Sequence, residues 1–261
     1  MDKKKILLIS FLFLFGLCVL IYPVLSNAVN RIHGSYAIET FRQELDQVDT
    51  EQLLQQRVMA ENYNKDLLEK SEGEGYAEIL NFANGMMGQI QIPKLNIHLP
   101  IYHGVDEEVL AKGIGHMPQT AFPIGGEGNH TVLTGHTGLP TAKLFTDLTE
   151  LVLDDVFYIE ILGEILAYQI DQIRVVLPND GQELIPVAGK DYCTLVTCTP
   201  YGVNSHRLLV RGVRMEMEKN QAQEQLQQEL EANRSHIWIW LAAGIVTLFG
   251  VLIVLCRRRI L

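Results

Sequence analysis

From Gly88 to Val213 the chain is a succession of short β-branched or alternating segments, and this pattern limits the fold more than any other feature. The segments are 89–92, 97–101, 131–134, 156–161, 165–176, 193–197 and 208–213, separated by turns that contain Pro, Gly, Asn or Asp. Many short strands at close spacing predict a mainly β fold, a closed or nearly closed barrel. Residues 105–111 and 141–145 read as single helical turns between strands.

Before the barrel the character differs. From Ser35 to about Lys70 the chain is rich in Glu, Gln, Leu and Ala. Apolar residues recur at Ile38, Phe41, Leu45 and Val48, then at Leu53, Leu54 and Val58, a helical spacing. No proline occurs between Pro23 and Pro93, so nothing is expected to break these helices, and Ser71-Glu-Gly-Glu-Gly75 reads as a flexible break. After the barrel, residues 216–234 are charged, Gln-rich and helical in pattern.

Both ends are strongly apolar. Residues 6–25 carry no charge and follow Lys3, Lys4 and Lys5; residues 237–256 precede Arg257, Arg258 and Arg259. Each stretch has about 20 residues, enough to cross a bilayer core as a helix. The basic flanks predict that both termini are cytoplasmic and that everything between the spans is extracellular. The first span has a rival reading as a cleaved signal, because Ser26-Asn27-Ala28 resembles a small-residue cleavage site. Its apolar part exceeds the usual signal core of about 7–15 residues, which favours a retained anchor.

The expected organisation is therefore a cytoplasmic N-terminus (1–5), a transmembrane helix (6–25), a helical stalk and pre-barrel segment (26–87), a catalytic barrel (88–215), a helical linker (216–236), a second transmembrane helix (237–256) and a basic tail (257–261). The net charge of −10, with no Lys/Arg-rich run outside the membrane flanks, gives no indication of nucleic-acid binding.

Cys18 and Cys256 lie in the apolar ends, leaving Cys193 and Cys198 between them. Five residues apart on one strand, these two point to opposite faces and are poorly placed to pair with each other. No CxxC or paired His/Cys spacing indicates a metal site, and no cofactor is expected. Cys198 ends an apolar run, and the turn Pro200-Tyr-Gly-Val-Asn-Ser205 leads into a second run opened by Arg207. Antiparallel pairing across that turn brings thiol and guanidinium to one end of the sheet, and a nearby guanidinium favours the reactive thiolate. A lone Cys on an apolar strand is more often a small core residue, a reading that suits Cys193 and stays open for Cys198. Arg207 has an ion-pair reading of its own, the role expected of Arg211 and Arg214. His136 ends the 131–135 strand beside Gly135, which can present an imidazole to an open site. His98, His103, His116 and His130 are equally compatible with solvated and packed positions, and His206 should face away from Arg207 by strand alternation.

Thr194-Leu-Val-Thr-Cys198 resembles the Thr-Leu-x-Thr-Cys signature of the sortases, Arg207 falls where that family has its arginine, and Thr134-Gly-His136 resembles its histidine segment. The resemblance spans about Gly88 to Val213 and includes Ile92-Pro-Lys94, Leu99-Pro-Ile-Tyr-His-Gly104, Gly113-Ile-Gly-His116, Gly125-Gly126 and Leu144-Phe145. The Cys198–Arg207 segment, Leu99–Gly104 and the second apolar end with its basic tail resemble class C, the pilin-polymerising sortases of Gram-positive bacteria.

That resemblance implies a closed sortase-type barrel of about eight strands with short helices and a catalytic trio of Cys198, His136 and Arg207. It implies a membrane-anchored cysteine transpeptidase that cleaves LPxTG-like signals between Thr and Gly and transfers the pilin to a lysine amine. Attachment of surface proteins to cell-wall peptide is the alternative within the same chemistry, and a non-catalytic assembly scaffold is an alternative of another class. L,D-transpeptidases also combine Cys, His and Arg, but their Arg lies much closer to the Cys. One departure stands out. Class C sortases commonly carry a lid with an Asp-Pro-aromatic motif, and the proline-free stretch before Pro93 cannot contain one, so an uncovered cleft is expected.

Overall fold

The alternating segments build eight strands that close on themselves. The structure is a computed structural model and describes residues 3–70, 73–217 and 221–231. In chain order the strands are β1 (Met86–Ile92), β2 (Ile97–His103), β3 (Ile114–His116), β4 (His130–Thr134), β5 (Val156–Ile161), β6 (Glu164–Val176), β7 (Tyr192–Thr199) and β8 (His206–Arg214). Around the barrel they run β1-β2-β3-β4-β7-β8-β6-β5, and β5 returns to β1 with Ile90 opposite Ile159. Closure removes the free edges that an open sheet would expose. The β2–β3 and β4–β7 pairs are parallel and the remaining pairs antiparallel.

Strand alternation sorts the side chains. Ile90, Ile92, Ile101, Leu133, Ile159, Leu195 and Val210 point into one shared core, each burial contributing about 1.5–3 kcal/mol. Val132, Val196 and Leu209 have the opposite parity and form a separate apolar cluster with Met117, Val176 and Leu184 on the outer face.

Two local expectations are corrected. β3 was not legible, because three residues with a central glycine have no alternation to read. A Cβ at Gly115 would lie 2.2 Å from the Gly104 carbonyl oxygen, so the close approach of β3 to the chain after β2 requires glycine there. The 141–145 helical turn is irregular instead, and a 3-10 turn follows it at Thr146–Glu150. Its Lys143 N–H donates to Asn27 Oδ1 at 3.1 Å, outside any helical ladder. The other expected turn is a helix, α3 (Glu107–Lys112) in chain order, where Asp106 Oδ1 accepts from the Val109 N–H at 3.0 Å.

Two helices precede the barrel, α1 (Lys3–Gln47) and α2 (Thr50–Lys70). They separate without a proline, because Asp49 Oδ1 accepts from the Glu51 N–H at 3.3 Å and starts α2 afresh. Both lie against the barrel. Ile38 and Phe41 of α1 pack on Met86, Tyr102, Val109 and Leu110, and Ala60 and Tyr63 of α2 join the main core. Asn64 works as a surrogate strand partner: its Nδ2 donates to the Phe122 carbonyl at 3.1 Å and its Oδ1 accepts from the Phe122 N–H at 2.7 Å. A helical segment at 221–231 packs Leu226 against Tyr158 and Ala167 on the outer face of β5 and β6.

The expected pair of transmembrane helices is not supported here. Among the described residues no helix is long and apolar enough to cross a membrane. The reason is one of extent: the side chains of 6–10, 13, 14, 17, 20 and 24 lie outside the described residues, as does all of 237–256.

Candidate active site

The β7–β8 hairpin places its first two candidates by register. Cys193 and Leu195 point into the core, so Val196 and Cys198 lie on the outer face; on β8, Leu208 and Val210 point in, and Arg207 and Leu209 out. Cys198 stands directly opposite Arg207, a relation that holds Cα atoms about 4.5–5.5 Å apart. The turn closes because the Val203 and Asn204 N–H groups donate to the Pro200 carbonyl at 3.0 and 2.9 Å. Gly202 (φ 74°) and Asn204 (φ 58°) take the left-handed conformations that this turn needs.

The Arg207 guanidinium is not matched by a carboxylate among the described residues. Its Nη1 donates only to the carbonyls of His206 and Asn204, at 3.1 and 3.4 Å. By contrast, Arg211 grips Asp171 through two nitrogens at 2.8 and 2.9 Å, and Arg214 lies 3.9 Å from Asp191. The ion-pair role expected of Arg211 and Arg214 is the one they have, and Arg207 is different.

His136 arrives from the neighbouring strand. β4 runs parallel to β7 with Thr134 opposite Val196. The Gly135 N–H donates to the Val196 carbonyl at 3.0 Å, and the buried Thr197 Oγ1 donates back to the Gly135 carbonyl at 2.8 Å. Continuing that register by two residues sets His136 level with Cys198, one strand spacing of about 4.8 Å away. The ends of β4, β7 and β8 thus bring the three predicted residues side by side. Glycine is required at 135, since a Cβ there would lie 2.7 Å from side-chain atoms of Ile114 and Phe145. The Phe145 N–H holds the His136 carbonyl at 3.1 Å.

The His136 Nε2 is buried and has no hydrogen-bond partner among the described residues, and the same holds for Thr134 Oγ1. The nearest carboxylate oxygen, Glu107 Oε2, is 3.5 Å from Nε2. Distance and alignment disagree at this contact; we read it as a weak charge contact, because Glu107 is 83 % exposed and the hydrogen-bond alignment is not met. Cys198, His136 and Arg207 are all half-buried, beside the apolar Val132–Val196–Leu209 floor. Tyr201 from the β7–β8 turn lies against Gly138 in the loop after His136.

The remaining histidines belong to the frame. His116 is fully buried, its Nε2 donating to the Ala121 carbonyl at 2.9 Å, and burial pushes its pKa down to about 4. His130 is 1 % exposed, bonds Thr194 Oγ1 at 2.7 Å and is likewise pushed down to about 4 by burial. His98 bonds Gln89 at 2.8 Å, His103 sits between the carbonyls of Ile79 and Gly85, and His206 bonds Ser205 at 2.9 Å. Cys193 is fully buried and burial raises its thiol well above the ordinary range.

Sequence reasoning missed Thr197 as the tie between β7 and the histidine strand, although it sits inside the Thr194–Cys198 motif. It also missed Glu107, for which the sequence carries no signal. The hydrogen bonds and ion pairs of α1 and α2 to the barrel go to Glu160, Glu164, Gln119, Phe122, Lys143 and the 80–83 segment. Among the described residues none of these goes to Cys198, His136 or Arg207. Nor do these residues include a group of three or more His, Cys, Asp or Glu able to hold a metal ion.

Residues 90–215 match the sortase domain family. Among curated proteins, sortase A of Bacillus anthracis is 30 % identical over 127 residues, which is 49 % of this chain and 59 % of that protein. Sortase D of Bacillus subtilis (strain 168) is 29 % identical over 131 residues, 49 % of this chain and 63 % of that protein. The chain thus spans about three-fifths of the length of these curated relatives. Among solved structures, sortase C1 from Streptococcus agalactiae is 44 % identical and superimposes with a TM-score of 0.67, covering 70 % of this chain and all of that one. Clostridium perfringens sortase C, solved with the C-terminal cell wall sorting motif, gives 42 % identity and a TM-score of 0.66 with the same coverage. Streptococcus pneumoniae sortase C gives 38 % and 0.63, covering 69 % of this chain and 96 % of that one. With the barrel, the Cys198–Arg207 register and these matches in agreement, the chain belongs to the sortase family, and its structural neighbours are class C sortases.

Proposed function

We propose that this chain is a membrane-anchored cysteine transpeptidase that cleaves LPxTG-like sorting signals between Thr and Gly and joins the resulting acyl group to a lysine amine of a pilin. The observation that carries this reading is the register of three strand ends, with Cys198 opposite Arg207 and level with His136.

In the first step the Cys198 thiol passes its proton to His136 and its sulfur attacks the threonine carbonyl carbon, forming a C–S bond as the carbonyl becomes an oxyanion. Arg207, with no carboxylate to hold it among the described residues, donates hydrogen bonds to that oxyanion. The C–N bond then breaks, and His136 gives a proton to the departing glycine amine. In the second step His136 takes a proton from the incoming amine, whose nitrogen attacks the thioester and releases the sulfur. One amide is exchanged for another, so no ATP is required. The proposed setting is a two-pass protein of the cell membrane with both termini cytoplasmic and the barrel outside.

Incubating the protein with an LPxTG peptide and mapping the adduct by mass spectrometry tests the chemistry. The expected product is an acyl group on Cys198; an unmodified Cys198 in the presence of cleaved peptide would overturn the assignment, and no cleavage at all would favour a scaffold. A second acceptor, cell-wall peptide, is the alternative within the same chemistry. Purified pilin separates the two, since detergent-resistant ladders form only if a pilin lysine is the acceptor.

A further inference from the structure

One cavity lies away from the cysteine. It has a volume of about 520 Å³ and lies between α1, the start of β2, the 143–147 segment and the 221–231 helix. Its lining holds three cations, Arg31, Arg42 and Lys143, against one carboxylate, Asp147, and adds amide donors such as Asn27 and Gln227. Arg42 is partly committed to Glu160 at 3.1 Å, and Lys143 is paired with Asp147. Arg31 has no ion pair or hydrogen bond among the described residues.

The position of this cavity matters as much as its charge. Asn27 is two residues beyond the apolar stretch 6–25 and Arg31 six beyond, on a helix that continues unbroken to Gln47. At 1.5 Å per residue they stand about 3 and 9 Å above the end of that stretch. The polar layer of a bilayer leaflet is about 5–8 Å deep. Leu230, on the opposite wall, is seven residues before the second apolar stretch. The two segments next to the apolar ends therefore line one cationic cavity, at the depth where lipid phosphates lie.

We propose that this cavity is a binding pocket for a phosphate headgroup, supplied by an anionic lipid of the surrounding bilayer. Guanidinium, ammonium and amide groups share its wall, the donor types that a many-oxygen anion takes, and the cavity is large enough for a headgroup. The proposal rests on the membrane-anchored reading above. It also links the bilayer to the reactive end, because Lys143 and Asp147 flank Phe145, whose N–H holds the His136 carbonyl.

Hydrogen exchange of the full chain in nanodiscs tests it. In discs containing phosphatidylglycerol the amides of 27–35 and 141–147 are expected to exchange more slowly than in pure phosphatidylcholine. Each cation near an anionic surface is worth about fivefold in binding, so Arg31→Gln should lose about that factor in apparent lipid affinity while Arg31→Lys keeps most of it. Equal exchange in the two kinds of disc would overturn the pocket. Full protection by inorganic phosphate in phosphatidylcholine discs would identify a free phosphate as the ligand and overturn the lipid assignment. A chain that fails to enter discs at all would overturn the anchoring reading and the lipid source together, whereas an inserted chain without protection removes the pocket alone.

Discussion

The end of the barrel around His116 and the end around His136 use the same residue types in opposite ways. At the first, His116 is stacked on Phe122 and Tyr76, with ring centroids 5.1 and 5.7 Å away, and both its nitrogens are engaged. Asn64 satisfies both backbone groups of Phe122. At the second, among the described residues His136 Nε2 and Thr134 Oγ1 have no hydrogen-bond partner, and Arg207 bonds only to carbonyls of its own hairpin. A buried polar group without a partner costs about 1–3 kcal/mol. The packed end commits its polar groups to the fold, while the end around His136, the reactive end of the proposed function, leaves them uncommitted.

The largest expected effect breaks the reactive end alone. Cys198→Ala should lower acyl transfer by at least about 10⁴-fold, measured as release of the sorting-signal glycine, with an unchanged melting temperature because Cys198 lies on the outer face. A melting temperature that falls as for a core substitution would erase the distinction between the two ends. Arg207→Lys should cost about 10²–10³-fold in rate, since lysine lacks the planar donor fork. Polymerisation at near-normal speed by that variant would count against an oxyanion role.

The packed end should respond to acid. His116 and His130 are held neutral in the fold, with pKa values pushed down to about 4 by burial, whereas an unfolded histidine titrates near 6.5. The unfolded chain therefore binds the extra protons first. Stability is complete above about pH 6.5 and falls towards pH 4, by up to about 3 kcal/mol for each histidine. Denaturant melts across that range read the loss directly, and a flat profile would contradict the burial account. The smallest effect expected is that of Asn64→Ala, about 1–3 kcal/mol of stability from the stranded Phe122 N–H, with transfer rate unaltered at temperatures where the variant stays folded; the Phe122 carbonyl keeps the Ile124 N–H at 2.8 Å. A variant that loses activity while keeping its stability would mean that α2 acts on the site after all.

Legibility followed the range of the interactions. The Cys198–Arg207 pairing could be read from a single hairpin, because a six-residue turn leaves little choice of partner. Seven of the eight strands announced themselves by alternation, and β3 did not, being three residues around a glycine. His136 was weighted by its place beside Gly135 and by family resemblance, and neither says which strand lies next to it. Its alignment with Cys198 depends on the parallel β4–β7 pair, whose partners Thr134 and Val196 are far apart in sequence. His116 and His130 were undecided between water and core for the same reason, since their partners come from distant loops.

By itself the sequence determined the kind of molecule: a barrel from short alternating strands, a thiol and a guanidinium brought together by a local turn, and two apolar ends of membrane-spanning length. Tertiary structure alone decided which histidines are spent on packing and which stands beside the thiol. It also decided that α1 and α2 lie against the barrel, and that segments from the two ends of the chain line one cationic cavity. Alternation and turn chemistry act between neighbours in the chain, whereas register, burial and cavity walls depend on contacts between residues far apart along it.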